Sequence, residues 1–399
     1  MRHGCLAWLA SLGVLGIFAV GGLSQTPPAG PAQDPLKPPA AGQGRPDERR
    51  PTPQPGTPPG SARPGEPVAT APTIAPQEPN ELAGRGESIP PEMLGNGLGG
   101  PILRFFILGQ QQQPPGKQFI VGEAIPGRSF KISDNESPLP MDRVYFQYNH
   151  FQDIYASYNR RLGGIFQDAR IDRETFGIEK SLCDGLVSIG LRQPLSTLSQ
   201  EVVPPRGFDG PPTLFGGLPT SDYETGDLSL ILKVAPFADR CSGRALSFGL
   251  AVTLPTGQSE DPAHATSLQP FIGYLWTCGD WLFHGFVSLD IPTKSDALYL
   301  NNDVGIGYYL YRNPCCDGCL TAVIPTVEFH LTTPLNHRGG LHFVPPDDFS
   351  VGAPDVFDLT VGVNFELWQR MRLALGVVTP LTGPRPFDWE GVVELRWRF

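Results

Sequence analysis

Residues 245–254 read ALSFGLAVTL, and apolar side chains occupy every second position of this stretch. One face carries Leu246, Phe248, Leu250, Val252 and Leu254, and the other carries Ser247, Gly249, Ala251 and Thr253. Because successive side chains of a β-strand point to opposite faces, a period of two predicts a strand. A helix would instead repeat its apolar positions every three or four residues.

The same alternation recurs from Val144 to Phe399. It predicts twelve strands, near 144–151, 173–181, 185–193, 227–235, 245–254, 268–276, 281–290, 302–311, 320–331, 357–367, 371–379 and 389–399. An even number of antiparallel strands is typical of bacterial outer-membrane barrels. We therefore predict an all-β protein, a closed antiparallel up-and-down transmembrane β-barrel of about 12 strands, preceded by a disordered Pro-rich segment.

Connection lengths favour a membrane barrel over a soluble β-sandwich, which would also have one apolar face. The turns after even-numbered strands are short, near Cys183, 277–280 and Gln369. The connections after odd-numbered strands are long, as in 194–226, 255–267 and 332–356. In outer-membrane barrels the short turns face the periplasm and the long loops face outward.

Aromatic residues and prolines follow the same division. Trp276, Trp281, Trp368, Trp397, Phe237, Tyr311 and Phe399 fall at short-turn ends, and Trp389, Phe271 and Tyr299 fall near long-loop ends. Two such belts are typical of rings at two membrane–water interfaces. Pro194, Pro255, Pro292, Pro334 and Pro380 mark the start of long connections, where proline, which has no N–H, ends strand pairing. Pro325, in the middle of a predicted strand, breaks this rule.

The chain before the barrel divides into three segments. Residues 1–24 have a basic start and an apolar stretch, Leu6 to Val20, shorter than the roughly 20 residues of a membrane-spanning helix, which indicates a cleaved signal peptide, with a retained anchor as the alternative. Residues 25–80 are rich in proline and predict a disordered tether, or a spacer that crosses or binds the cell wall. Residues 81–140 are a transitional linker, a plug or an extra strand, and 141–399 form the barrel.

Charge limits the expected partners. The net charge of -10 and the pI near 5.2 argue against nucleic acid, which requires clustered Lys and Arg. We expect the protein to be exported and to lie in the bacterial outer membrane with its tether in the periplasm. The partners we expect are outer-membrane lipid, the barrel assembly machinery and a small-molecule solute, with no cofactor.

Five fragments resemble a known family: GDLSLILKVAPF (226–237), ALSFGLAVTLPTG (245–257), LQPFIGYLW (268–276), GFVSLDIPT (285–293) and NDVGIGYYLY (302–311). They resemble the family described as putative transporter of the meta-pathway of phenol degradation, over about 140–399. The resemblance implies an outer-membrane barrel that passes small, often hydrophobic or aromatic, compounds. The C-terminal VVELRWRF is similar to the signature that outer-membrane barrels present to their assembly machinery, through Val393, Leu395, Trp397 and Phe399.

The polar faces of the strands predict the residues of the lumen: Arg192, Lys233, His284, Asp290, Glu328, His330, Asn364, Glu366, Arg372, Glu394, Arg396 and Arg398. In an open channel these groups would form a charged constriction that selects solutes. The alternative is that they pair with one another and fill a narrow barrel.

Cysteines cluster in or beside the short turns: Cys183, Cys241, Cys278, Cys315, Cys316 and Cys319. An oxidising compartment favours disulfides between adjacent periplasmic turns, with a pairing that the sequence leaves open. Metal binding by CCDGC (315–319) is the alternative, although no second CxxC accompanies it, and we predict no metal site.

Function is predicted as a channel or transporter and not an enzyme. The alternative is a structural, plugged barrel that tethers the outer membrane to the cell wall. A third hypothesis is a barrel-embedded hydrolase that uses His264, His337 or His342 of the long loops, but no GxSxG motif stands beside them.

Overall fold

The structure is a computed structural model that describes residues 89–97, 103–108, 119–124, 130–154, 156–157, 166–203, 221–240, 242–257, 266–293, 298–313, 318–336, 341–344, 348–351, 355–383 and 385–399. The predicted signal peptide and tether lie outside these residues. Among the described residues, no helix is long and apolar enough to cross a bilayer.

Twelve long strands form a closed barrel. They are β1 Arg143–Gln152, β2 Phe166–Leu182, β3 Val187–Val202, β4 Leu228–Asp239, β5 Arg244–Leu254, β6 Ser267–Cys278, β7 Trp281–Pro292, β8 Tyr299–Tyr308, β9 Leu320–Pro334, β10 Val356–Leu367, β11 Met371–Pro380 and β12 Trp389–Arg398. Each strand pairs antiparallel with its neighbours in chain order. β12 then pairs with β1, from Trp389 opposite Gln152 to Arg398 opposite Arg143, and this closes the barrel. The predicted twelve-stranded fold is confirmed.

Six short strands of the described residues lie outside the predicted twelve, and two of them fall in 81–140, where an extra strand was left open. Leu103–Leu108 and Phe119–Ala124 form one hairpin, and Leu341–Val344 and Asp348–Val351 form another. Ser221–Thr225 pairs with Leu195–Ser199 in the second half of β3, and Tyr311–Arg312 pairs with β9.

The two ends of the barrel differ in their connections. Short turns at 183–186, 240–243, 279–280 and 368–370 lie at one end, which we call the short-turn end, and long connections such as 203–227 and 335–355 lie at the other, the long-loop end. The connection 309–319 belongs to the short-turn end but is longer than predicted, because it contains the strand Tyr311–Arg312.

The outer face of the barrel is apolar. Leu250 and Leu395, on the predicted lipid face, are 38% and 43% exposed, whereas Ser247 and Glu394, on the alternate face, are fully buried. A continuous exposed apolar face is unfavourable in water and suits hydrocarbon, where a closed sheet satisfies its own backbone hydrogen bonds. The predicted orientation of the strands is therefore confirmed.

The aromatic belts are largely as predicted, with one correction. Trp281, Trp368 and Trp397 are exposed at the short-turn end, and Trp389 is exposed at the long-loop end. Phe271, by contrast, is buried and faces inward, because it shares the inner face of β6 with Leu275 and packs edge-on against Phe286 of β7.

Pro194 and Pro325 lie within strands, and both occupy breaks in the pairing on one side. β3 pairs with β4 only as far as Arg192 and pairs with Ser221–Thr225 only from Leu195, so the prediction that Pro194 ends its strand is wrong. On β9, the pairing with β8 ends at Thr326, and the pairing with Tyr311–Arg312 starts at Val323. Pro325 lies between these two paired stretches. A missing N–H is tolerated at such gaps.

Candidate functional site

Two segments of the chain's own N-terminal part fill the barrel interior. We call residues 89–97 the ascending segment, residues 130–141 the returning segment, and both together the plug. Side chains of the plug that are at most 4% exposed are Glu92, Met93, Leu94, Asn96, Lys131, Ile132, Ser133, Asp134, Asn135, Glu136, Ser137, Leu139 and Met141. All but Met141, which falls in the predicted barrel segment 141–399, lie within 81–140, for which the sequence leaves a linker, a plug or an extra strand open.

The ascending segment starts at the short-turn end and runs toward the long-loop end. Arg372, which closely follows the turn 368–370, donates a 2.7 Å hydrogen bond from Nη2 to the carbonyl of Ile89. At the other end of this segment, the N–H of Gly97 donates to Glu390 Oε1 over 3.0 Å. Glu390 is the second residue of β12 and therefore lies beside the long-loop end.

The returning segment runs the opposite way. Gln269, near the long-loop start of β6, donates to the carbonyl of Phe130 over 3.1 Å. Arg240, in a short turn, donates to the carbonyl of Pro140 over 2.7 Å. The plug therefore enters and leaves at the short-turn end, where β1 begins.

The two segments also hold each other. The N–H of Met93 donates to the carbonyl of Glu136 over 3.0 Å. Gly95 has a φ of +75°, and a Cβ on it would lie 2.4 Å from the Cα of Asp134. Only glycine fits this position without displacing the returning segment.

Glu92 lies at the centre of a group of three arginines that we call the arginine clamp: Arg143 of β1, Arg372 of β11 and Arg396 of β12. Its Oε2 is 2.7 Å from Arg372 Nη1 and 3.0 Å from Arg396 Nη1, and its Oε1 is 3.7 Å from Arg143 Nη1. Burial alone would raise the pKa of Glu92, but the guanidinium groups of Arg396 and Arg372 hold it well below the ordinary value of 4.5. Glu92 is therefore a carboxylate at neutral pH.

Glu136 forms a second ionic centre on the returning segment. Its Oε1 is 2.6 Å from Lys233 Nζ and 2.8 Å from Arg143 Nη2, and its Oε2 is 3.9 Å from Arg192 Nη2. Burial again opposes the charge, yet Arg143 and Lys233 lower the pKa of Glu136. Asp134, nearby, accepts a 2.5 Å hydrogen bond from Gln147.

Carboxylates of the wall, in turn, bind the ascending segment. Glu328 Oε1 accepts from the N–H of Leu94 and Oε2 from the N–H of Gly95, each over 2.9 Å. Asp358 Oδ2 accepts a 2.5 Å hydrogen bond from Asn96 Nδ2. The wall thus holds this segment through its backbone as well as its side chains.

A third ionic group joins the returning segment to β8 and β9. Lys131 Nζ is 3.1 Å from Asp303 Oδ1, and Nδ1 of His330 is 2.8 Å from the same oxygen. His330 Nε2 is 3.4 Å from Glu328, so this group is continuous with the carboxylate that binds Leu94.

The structure buries eleven of the twelve predicted lumen residues on the inner face, at 9% exposure or less. Those in direct contact with the plug are Arg192, Lys233, His284, Glu328, Arg372 and Arg396. Those that bind mainly within the wall are His330, Glu366, Glu394 and Arg398, with Asn364 buried among them. Asp290 differs, because it is half-buried at the long-loop end, where it accepts a hydrogen bond from Ser267.

Sequence reasoning missed several residues of this site. On the wall they are Arg143, Arg173, Glu179, Asp303, Asp358 and Glu390, and on the plug they are Glu92, Lys131, Asp134 and Glu136. Glu390 shares the face of Glu394 and could have been found by strand parity, whereas Arg143 precedes the first predicted strand. The plug residues belong to no periodic segment and gave no signal.

The cysteine prediction needs correction at two positions. Cys183 and Cys319 are free and exposed. Cys183 lies in the turn 183–186 and has a φ of +51°. Cys278 is disulfide-bonded, to a cysteine other than these two. Cys241, Cys315 and Cys316 lie outside the described residues.

Neither the metal nor the hydrolase alternative gains a described site. Within the part of the chain that the structure describes, no three His, Cys, Asp or Glu side chains are arranged to hold a metal ion. His264 and His337 lie outside the described residues, and for His342 only the backbone is described.

Comparison with known proteins gives a weak structural likeness only. No protein-family profile and no curated protein matches the chain. A crystal structure of an outer membrane channel from Pseudomonas putida shares 11% identity at a TM-score of 0.44, covering 65% of this chain and 96% of that one. The KdgM porin shares 9% at 0.36, covering 64% and 99%, and the β-domain of the Bordetella autotransporter Brka shares 14% at 0.38, covering 65% and 99%. The resemblance to the phenol meta-pathway family thus stays a prediction, and the barrel architecture follows from the strand pairing itself.

Proposed function

We propose that this protein is a bacterial outer-membrane channel for small molecules and that its own plug closes the lumen at rest. The observation that carries the proposal is the chemistry of the inner wall. Its twelve strands present charged and amide groups that hold a separate segment of chain. A polar wall can hold water and solutes once that segment is displaced.

The path of the plug is compatible with such displacement. Both segments meet the short-turn end, so the plug can leave there together with the connecting residues 98–129, and no described strand of the barrel has to open. Its contacts with the wall include hydrogen bonds and ion pairs, as at Glu92 and Glu136, and apolar contacts, as in the cluster that Met93 and Ile132 form with Phe271 and Phe286. Buried ion pairs contribute little net stability when both partners return to water, because desolvation offsets the attraction.

The same proposal includes the cellular setting. The short-turn end faces the periplasm, the predicted signal peptide directs export, and the exposed Val393, Leu395, Trp397 and Phe399 contact the assembly machinery before they contact lipid. The tether then extends on the periplasmic side, from which the plug enters.

A structural role is the second candidate, and the complete burial of the plug favours it. A barrel closed in this way and joined to the tether could link the outer membrane to the cell wall without passing solutes. The two candidates differ in one property, which is whether release of the plug opens a conducting path.

Conductance across a planar bilayer tests the proposal. Replacing both glutamates, Glu92→Lys with Glu136→Lys, places positive charges among five basic side chains and should expel the plug. We expect the wild-type protein to be nearly silent and the double variant to give steady single-channel currents. Glu201→Lys, at an exposed long-loop position, is the matched control and should behave as wild type. Silence of a double variant whose plug is protease-accessible and whose barrel is folded would instead support the structural role.

A further inference from the structure

The arginine clamp is a carboxylate-binding site built from the wall alone. Its three guanidinium groups come from β1, β11 and β12, which are adjacent around the closure of the barrel. They converge on one carboxylate, that of Glu92, with nitrogen–oxygen distances of 2.7, 3.0 and 3.7 Å. Guanidinium groups bind carboxylates through charge-assisted hydrogen bonds in a fixed geometry. Nothing in this geometry requires the carboxylate to belong to the plug.

Charge balance around the clamp depends on the plug. Five basic side chains contact plug carboxylates: Arg143, Arg192, Lys233, Arg372 and Arg396. Three carboxylates of the wall form ion pairs with these basic side chains: Glu179, Glu366 and Glu394. Glu366 is also shared with Arg398. The remaining negative charge comes from Glu92, Asp134 and Glu136 of the plug.

Withdrawal of the plug would therefore leave an excess of positive charge in a confined space. Like charges held close together in the lumen are unfavourable even when water is present, and an incoming anion relieves their repulsion. A solute with a carboxylate can take the place of the Glu92 side chain at the clamp. Its binding would also keep the plug from returning.

An apolar patch lies across the lumen from the clamp, on β5, β6 and β7. Ile89, whose carbonyl is bound by Arg372, packs against a buried cluster that contains Ala245, Leu275 and Leu282 of the wall. Loss of the plug removes Ile89, Leu139 and Met141 and uncovers this apolar surface on the side of the lumen that faces the arginines. The pair of surfaces suits a small molecule that has a carboxylate and an apolar body.

We propose that the arginine clamp is a binding subsite for small apolar carboxylates and that Glu92 occupies it while the channel is closed. The proposal rests on the proposed function in one respect, which is that the plug can leave the lumen. It adds the substrate class and a means of opening, since solute and plug compete for one site.

Calorimetric binding of benzoate to the purified full chain in detergent tests the subsite. The Glu92→Lys, Glu136→Lys protein keeps the clamp and lacks the competing carboxylates. We expect it to bind benzoate at least tenfold more tightly than the wild-type protein does. Adding Arg372→Gln should weaken binding about tenfold or more, because a charge-assisted hydrogen bond is lost. Arg244→Gln, on the outer surface against Trp276, is the matched control and should leave the affinity unchanged.

Two further ligands define the chemistry. Benzyl alcohol, which has the same ring and no charge, should bind at least tenfold more weakly than benzoate. Inorganic phosphate of equal affinity would overturn the carboxylate assignment in favour of a general anion site. Loss of benzoate binding in a folded, plug-released protein, or equal binding after Arg372→Gln, would overturn the subsite.

The result is distinguishable from failure of the channel proposal. Benzoate binding without ionic current would leave the subsite standing and refute conduction. Ionic current without benzoate binding would support conduction and refute the subsite.

Discussion

The carboxylate of Glu328, on the wall strand β9, accepts a 2.9 Å hydrogen bond from the backbone N–H of Leu94 on the plug. Its second oxygen accepts from the next N–H, that of Gly95. A side chain that binds two successive backbone amides fixes the path of the chain whatever the plug side chains are. The wall is therefore shaped to hold a backbone and not only to neutralise charges.

Glu328→Gln should loosen the plug and leave the barrel folded. The amide offers one oxygen where two backbone donors need acceptors, so one buried N–H loses its partner, at a cost of about 1–3 kcal/mol. We expect faster hydrogen exchange at Leu94 and Gly95, with an unchanged heat-modifiable mobility of the barrel on gels. Glu201→Gln, at an exposed site, should alter neither. Unchanged exchange at both amides in Glu328→Gln would contradict the role given to this carboxylate.

Acid should release the plug. The pKa values of Glu92 and Glu136 lie below 4.5 in the closed state, because the arginine clamp, Lys233 and Arg192 outweigh burial. A carboxyl with a lowered pKa stabilises the closed state above its ordinary pKa, and this contribution is lost as the pH falls through the lowered value.

Protection of the Met93 amide should therefore decline as the pH falls below about 4.5. Hydrogen exchange in detergent measures it. In Glu92→Gln the decline should be smaller, because one of the two titrating groups is absent. A decline centred near neutrality would show that other groups control the plug.

The barrel was predictable from sequence to within a few residues because its physical cause is local. Lipid on one side and polar groups on the other impose a period of two on every strand, as in 245–254. The extension of β2 back to Phe166 and of β3 to Val202 was missed, because those ends project past the apolar zone and lose the alternation.

The plug was not predictable in the same way. Its residues, such as Glu92 and Asn135, bind the wall through individual contacts that create no repeat along the chain. The lumen residues were correctly assigned to the inner face, but the sequence could not tell whether they face water, each other or a third element. Only the placement of 89–97 and 130–141 decides that.

Gly95→Ala should disturb the plug from within. The new Cβ would lie 2.4 Å from the Cα of Asp134, so the two segments must separate, at a cost of about 1–3 kcal/mol. We expect the plug of this variant to be cleaved by protease faster than the wild-type plug, because the separated segments are less protected. Gly279→Ala is the matched control, because Gly279 also has a positive φ, +63°, but no atom lies within 4 Å of the added Cβ. Equal effects of the two variants on the plug would mean that crowding at Gly95 is not the cause.

The free thiol of Cys183 gives a test of orientation. It is exposed in the short turn 183–186, which we place in the periplasm. A membrane-impermeant maleimide should leave the Cys183 peptide unmodified on intact cells and modify it after the outer membrane is permeabilised, as read by mass spectrometry. Glu201→Cys, at the long-loop end of β3, should be modified on intact cells. The reverse pattern would invert the barrel in the membrane and, with it, the side from which the plug enters.

Arginine on the outer face should distinguish lipid from water. Leu250 lies near the middle of β5, and Leu254 ends the same strand on the same face, with 38% and 36% exposure. In lipid, Leu250→Arg should lower the free energy of unfolding by about 2–4 kcal/mol and Leu254→Arg by about 0–1 kcal/mol, since the penalty falls toward the interface. Denaturant titration in lipid vesicles measures both. On a water-exposed face both changes would be nearly neutral, so a small and equal effect at the two positions would remove the reason for placing this barrel in a membrane.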